Sequence, residues 1–573
     1  MTIAPQPPEG TETTSQADAG RTEGADWWRQ AVVYQIYPRS FADSNADGIG
    51  DLRGITSRAP YLVGLGVDAV WLSPFYPSAL ADGGYDVDDY RDVDPRIGDL
   101  ADFDEMVRAL HERNIRVIVD IVPNHTSDRH RWFREALASG KGSPARSRYI
   151  FRDGKGPSGD LPPNNWTSVF GGPAWERVTE PDGSPGQWYL HMFAVQQPDL
   201  NWDHPEVHEE FLTTLRFWSD RGVDGFRVDV ANMLKKNLDP AYDAIRSILD
   251  SHDLFVEGEH PLFDRDEVHD IYAEWRKVFN EYDPPRMAVA EAWVPAHRRA
   301  RYASPEGLGQ AFNFDLLQAD FDAEQFRQVI VKNLALATES GASSTWVFSN
   351  HDVVRHATRY GLPKGTGRNG VGTDGKDWLL AGGDPAQVDA ALGLRRAKAA
   401  TLLMLALPGS AYLYQGEELG LQEVGQIPDR ARQDPTFFRN KGVEVGRDGC
   451  RVPLPWEPEG SSFGFGADGA HLPQPEWFAS YAASRQDGET GSTLNFYRTA
   501  LALRRQLQGE ESLVWHPGPK SVLHFSRPGG WHAVANFGGT PVDLPEGEVL
   551  IASAEADRGV LAPESTAWVR VER

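Results

Sequence analysis

The chain has 573 residues, 40% hydrophobic and 24% charged, and its 57 basic and 83 acidic side chains give a net charge of −26. That length exceeds one ordinary core, so two or three domains are expected, and so acidic a surface repels nucleic acids and anionic membranes. Cys450 is the single cysteine, which excludes an intrachain disulfide and fits a reducing cytoplasm.

Residues 1–25 are dominated by Pro, Gly, Thr, Glu and Ala without an apolar stretch. This composition predicts a disordered tail, not a secretory signal. No later segment reaches the ~20 consecutive apolar residues of a membrane span. Short runs rich in Val, Ile and aromatic residues then recur: VVYQIYP (32–38), VDAVWLSP (67–74), RVIVDIV (116–122), DGFRVDV (224–230), MAVAEA (287–292), AFNFDL (311–316), TWVFSN (345–350) and SAYLYQG (410–416). Helical stripes lie between them. Leu100, Phe103, Met106, Val107 and Leu110 form one, and Val207, Phe211, Leu215 and Trp218 form another, with Asp203 and Pro205 as its start signals.

Eight strand–helix alternations predict a parallel (β/α)8 TIM barrel built from 26–125 and 203–509. Two connections, 126–202 and 417–491, are too long for plain loops. Beyond the last helical run, LNFYRTALALRRQL (494–507), residues 510–573 alternate in short strands such as SVLHFSR, HAVANF and GEVLIAS. They predict a C-terminal antiparallel β-domain.

Four carboxylates stand at these apolar runs, in the settings IRVIVDIVPNH (Asp120), GVDGFRVDVAN (Asp229), MAVAEAW (Glu291) and TWVFSNHD (Asp352). Strand ends of a parallel barrel converge on one face, and paired carboxylates there are the equipment of glycoside hydrolysis. Period-two alternation puts Arg227 on the same strand face as Asp229, where a guanidinium favours the ionised form that a nucleophile needs. Ala290, Ala292 and Trp293 give Glu291 an apolar setting suited to a proton donor. DSNADGIGD alternates oxygen donors at Asp43, Asn45, Asp47, Ile49 and Asp51 around a turn, a pattern for a hard cation. Gly54 stands where an EF-hand needs its bidentate glutamate, so that motif is excluded.

The four segments, in that order, resemble the α-amylase superfamily, glycoside hydrolase family 13, over residues 27–573. The resemblance is strongest to the α-glucosidase and oligo-1,6-glucosidase branch. It implies that 126–202 is the inserted domain B after the third strand. It also implies that Asp229 is the nucleophile, Glu291 the acid–base, and Asp352 with His351 the group binding the 2- and 3-hydroxyls. Asp120 would support the nucleophile, with Asn124 beside it, and His125 would bond the 6-hydroxyl. In ADGGYD, Tyr85 would stack on the terminal glucose and Asp82 would pair with Arg447 of GRDGCRVPLPW, sealing the pocket against longer chains. Phe170 would be a pocket wall, and QPDLNW (197–202) would position groups around it.

In these relatives DSNADGIGD holds a structural calcium or magnesium. Val230 resembles oligo-1,6-glucosidases, whereas RDGCRVPLPW and DVAN resemble maltase-type enzymes. The expected protein is therefore a retaining exo-α-glucosidase acting on short oligosaccharides, α-1,4 favoured, with transglucosylation as a side reaction. The other readings are an oligo-1,6-glucosidase, a trehalose synthase or sucrose-active relative, and, at a distance, a non-catalytic partner subunit.

Overall fold

The computed structural model describes residues 24, 26–245, 254–365, 373–557 and 559–571. Eight parallel strands form the barrel: β1 (Val32–Ile36), β2 (Ala69–Leu72), β3 (Arg116–Ile121), β4 (Gly225–Val228), β5 (Met287–Ala290), β6 (Gly309–Ala311), β7 (Thr345–Val347) and β8 (Ser410–Tyr414). They pair in the order β7-β8-β1-β2-β3-β4-β5-β6. The seam between β6 and β7 is closed by a side chain. Thr345 Oγ1 donates to Ala311 O at 2.8 Å and accepts from Asn313 N at 2.9 Å.

Alternation sorts the side chains. Val33, Trp71, Ile118, Val289 and Tyr412 fill the barrel interior, while Tyr34, Val70, Val119, Phe226 and Ala288 face the helical shell. The helix Leu100–His111 opens on a reciprocal capping box between Asp99 and Asp102. The helix Pro205–Asp220 buries Val207, Phe211, Leu215 and Trp218. Two local expectations are corrected. His204, not Asp203, caps that helix, its Nδ1 accepting from Glu206 N at 3.2 Å, because the N-cap must directly precede Pro205 at the first helical position. The sixth strand is Gly309–Ala311, so AFNFDL lies almost wholly beyond it. Phe312 and Phe314 of that run are apolar because they plug the barrel, not because they extend the strand.

Between β3 and β4 a small antiparallel sheet forms from Phe151–Arg152, Trp175–Thr179 and Pro185–Leu190. At the C-terminus a five-stranded antiparallel sheet runs Val514–Trp515, Val522–Arg527, Trp531–Asn536, Ser565–Arg570, Glu548–Ala552. It packs on the helix Ala390–Ala406, to which Trp568 Nε1 donates at Leu402 O (3.1 Å) and Thr566 Oγ1 at Ala399 O (2.8 Å). Among the described residues no helix is long and apolar enough to cross a membrane.

Candidate active site

The ends of β3, β4 and β5 bring three carboxylates onto one guanidinium. Arg227 points into the barrel from β4, and its Nη1 donates to Asp120 Oδ1 at 2.9 Å and to Asp229 Oδ1 at 2.5 Å. Its Nη2 meets Glu291 Oε2 at 2.9 Å. Asp229 and Glu291 each sit one residue beyond their strands, whereas Asp120 lies inside β3. That offset decides their access. The Asp120 side chain is 0% exposed, Asp229 8% and Glu291 13%. A ligand entering from solvent can reach the last two and not Asp120, whose place is to hold Arg227.

Burial pushes Asp229 upward, Arg227 pulls it back, and the charges of Glu291 and Asp120 add to the rise. Burial likewise lifts Asp120 to about 7 against Arg227. One guanidinium cannot neutralise three carboxylates in so dry a site, so the cluster retains a proton near neutrality. Glu291 is less apolar in its setting than its flanking alanines suggest. Ala290 and Ala292 are buried, but the carboxylate accepts from Arg227, from Val230 N (3.0 Å) and from Trp293 Nε1 (3.2 Å). Trp293 itself is half exposed, stacked on Phe314 at 4.3 Å. The Val230 contact comes with an unusual backbone, with φ at +46° in a β-branched residue, directly after Asp229. Such strain persists only where surrounding contacts enforce it.

A second cluster lies beside the first. Arg447 donates from Nη2 to Asp82 Oδ1 (2.7 Å), from Nη1 to Asp352 Oδ1 (3.1 Å) and from Nε to Asp434 Oδ2 (2.7 Å). Its guanidinium stands 5.2 Å from the Phe170 ring centroid. Arg451 adds a bond to Asp352 Oδ1 at 2.8 Å. Burial opposes ionisation of Asp352, yet His351, Arg447 and Arg451 outweigh it and hold the carboxyl far below its usual range. Asp82, more deeply enclosed, is lifted by burial to about 6 despite Arg447.

Tyr85 joins the two clusters. Its ring is stacked on His351 at 5.4 Å, and its Oη lies 2.6 Å from His351 Nε2 while donating to Asp120 Oδ2 at 3.1 Å. His351 Nδ1 faces the Gln35 amide at 2.6 Å, and burial drives its pKa down to about 3, so the ring is neutral. His125 is fixed through a chain. Lys236 Nζ donates to Asn124 Oδ1 (2.8 Å), Asn124 Nδ2 then donates to His125 Nδ1 (3.1 Å), and His125 Nε2–H donates to Tyr85 O (3.2 Å). Gln197, from the segment that leaves the small sheet, donates to Asp82 Oδ2 at 3.1 Å.

The structure thus brings Asp229, Glu291, Asp352, Asp82, Tyr85, His125, Phe170, Arg227, Val230, His351 and Arg447 into one connected centre. Asp434, Arg451 and Gln35 belong to it too and were not foreseen. Arg451 stands four residues after Arg447 in the same string, and Asp434 opens the short helix Pro435–Arg439 as its N-cap. The capping role of Asp434 accounts for it locally and concealed its second role.

The loop 43–51 is bonded to none of these central carboxylates. Asp43 accepts from Asn45 N, Ala46 N and Gly48 N, and Asp47 accepts from Ile49 N. Asp51 caps the helix Leu52–Ser57 through Gly54 N and also accepts from Ser44, which uses its lone pairs. Asp47 also accepts from Asn45 Nδ2, and Asn45 Oδ1 from Asp47 N, so Asp43 and Asp47 retain part of their oxygen lone pairs, the donor type a hard cation takes.

The chain matches the family described as alpha amylase, catalytic domain, over residues 35–369 and 383–511. It belongs to the α-amylase family. A probable alpha-glucosidase of Rhizobium meliloti (strain 1021) is 39% identical over 88% of each chain. An oligo-1,6-glucosidase of Parageobacillus thermoglucosidasius is 34% identical over 84% of each. Among solved structures, an alpha-glucosyl transfer enzyme superposes with a TM-score of 0.78 at 34% identity, covering 95% of this chain and 99% of the other. This member of the family is a glycoside hydrolase of the α-glucosidase and oligo-1,6-glucosidase branch, on the TIM-barrel fold with a C-terminal antiparallel β-domain.

Proposed function

We propose that the enzyme is a retaining, exo-acting α-glucosidase that releases α-glucose from the non-reducing end of short α-glucosides, α-1,4 in preference to α-1,6. The observation that supports this reading is Arg447 bonded at once to Asp82, Asp352 and Asp434, a cluster that in an exo-acting enzyme would bound the pocket around one terminal sugar. In this mechanism Asp229 attacks the anomeric carbon while Glu291 gives its proton to the departing oxygen. Glu291 then removes a proton from water, whose oxygen displaces Asp229 and leaves α-glucose. Two carboxylates bonded to neighbouring nitrogens of one guanidinium suit the ~5–5.5 Å separation of retaining enzymes.

Val230 supports a role in linkage choice. Its N–H holds Glu291, and its side chain packs with the group that contains Phe170 and Met233. Glucose release from maltose, isomaltose, sucrose, trehalose and soluble starch, measured side by side, tests the substrate. Maltose is expected to be cut fastest, starch slowest, and the first product seen by NMR is α-glucose. Initial β-glucose, or rapid fall of starch viscosity, would overturn the proposal.

A second reading, transfer of glucose to another sugar, is supported by the structural likeness to an alpha-glucosyl transfer enzyme. A sugar hydroxyl competing with water for the same intermediate produces it, and trisaccharide accumulation at high maltose measures it.

We further propose one structural calcium or magnesium in the loop 43–51, with no part in the chemistry, and residence in the cytoplasm, where the buried thiol of Cys450 stays reduced. A ligand that binds only the folded state raises stability by mass action. EGTA is expected to lower Tm by several degrees, with calcium or magnesium restoring it, and Asp47→Ala should reproduce the loss. An unchanged Tm together with no calcium or magnesium by elemental analysis would leave the loop an ordinary turn.

A further inference from the structure

Outside the catalytic centre, three of the chain's 16 histidines meet on one face of the C-terminal sheet. His516 directly follows the edge strand Val514–Trp515, and its N donates to His524 O at 2.8 Å, so the two residues stand opposite each other. Ser526 pairs with His532 on the next strand, and period-two alternation puts 524 and 526 on the same face. All three imidazoles therefore project to one side. The ring centroids are 4.5 Å apart for 516–524, 4.8 Å for 516–532 and 5.1 Å for 524–532.

We infer that His516, His524 and His532 bind one divalent transition-metal ion, with the ligand chemistry of zinc, which pins the edge strand to its two neighbours. One ring nitrogen from each lies within 4.8 Å of the other two, and among the described residues this is the one His, Cys, Asp or Glu trio so arranged. A tetrahedral ion with Zn–N bonds of ~2.0–2.1 Å spaces its ligand nitrogens by roughly 3.3 Å, so modest ring rotations complete the site. His524 Nε2 and His532 Nδ1 already stand 2.9 Å apart. His516 Nε2 lies 2.9 Å from Ser526 Oγ, a bond that a ring rotation exchanges for the metal.

The donor set selects the ion. Three neutral imidazoles suit zinc, copper or nickel, whereas calcium and magnesium need oxygen ligands. No salt bridge joins any of the three histidines to a carboxylate among the described residues, so the ion's charge would be balanced by a solvent-derived fourth ligand. The rings are partly exposed and leave room for one. The site also answers a weakness of the fold. The edge strand has only two residues in its ladder, Val514 and Trp515, and a metal bond from His516 to the adjacent strands cross-links it.

Tag-free full-length enzyme, stripped with chelator and dialysed, would be titrated with zinc by calorimetry and followed by thermal unfolding in calcium-containing buffer. One zinc per chain and a higher Tm are expected. The cobalt derivative should show the strong visible bands of a four-coordinate ion. His516→Asn and His532→Gln should each weaken zinc binding by more than ~100-fold, since even outer-shell partners of ligands are worth 10–100-fold. Asp47→Ala should leave it intact, which separates this site from the loop 43–51. Absence of stoichiometric zinc, a six-coordinate cobalt spectrum, or full binding by the His516→Asn/His532→Gln double variant would each overturn the inference. If a variant fails to fold, the wild-type stoichiometry and cobalt spectrum still decide.

Discussion

Asp229→Asn is expected to lower kcat for maltose by ~10⁴-fold or more, because the amide cannot form the glucosyl ester. The fold should survive. The amide oxygen of the variant can still accept from Arg227 Nη1, and Asp120 and Glu291 continue to hold that guanidinium. With one charge fewer in a cluster that carries an excess of them, thermal stability should be unchanged or slightly raised. Glu291→Gln should behave differently. It removes the proposed proton donor, so maltose hydrolysis should fall by ~10²–10⁴-fold, while an aryl α-glucoside with an acidic leaving group should be cleaved at near-normal rate in its first step. The contrast between the two variants carries the assignment. Near-wild-type turnover of maltose by either one would dismiss the assigned roles, as would an equal loss on both substrates for Glu291→Gln.

Arg447→Ala is expected to raise KM for maltose and to lower kcat/KM by ~10²-fold or more, through lost charge-assisted contacts around the terminal sugar. The effect is large because this guanidinium serves Asp82, Asp352 and Asp434 at once, and Asp434 has no exposed side-chain surface. Removing one partner leaves buried carboxylates uncompensated, at a cost of about 3–5 kcal/mol for a buried pair. Arg447→Lys should recover only part of the loss, since a single ammonium cannot reach three carboxylates from three nitrogens. A pH signature accompanies it. Asp82 is lifted by burial to about 6, so acidification through that value removes its charge and weakens the contact with Arg447. KM in the wild type should therefore rise as pH falls through about 6, and Asp82→Asn should show a high KM without that rise. A pH-independent KM in the wild type, or an Arg447→Ala enzyme with unchanged kcat/KM, would remove Arg447 from the pocket.

Much of this was legible in the chain itself. Alternating apolar runs set the strands, and their ends marked Asp229 and Glu291, because a period-two strand that points Arg227 inward must point Asp229 the same way. Helical stripes such as Val207, Phe211, Leu215 and Trp218 exposed their buried faces through spacing alone. The resemblance of whole strings supplied Asp82, Tyr85 and Arg447, which no periodicity could connect. Tertiary structure decided the rest, since its contacts join residues whose local sequences are independent of one another. Arg447 and Asp82 are 365 positions apart, and nothing in either neighbourhood encodes that one guanidinium also serves Asp352 and Asp434. The barrel seam depends on one hydroxyl, that of Thr345, since β6 and β7 have three residues each and share no ladder. The histidines of the C-terminal sheet were likewise invisible in sequence. Spaced eight residues apart on three strands, they become neighbours only through cross-strand register, which hydrogen bonding between chain segments sets.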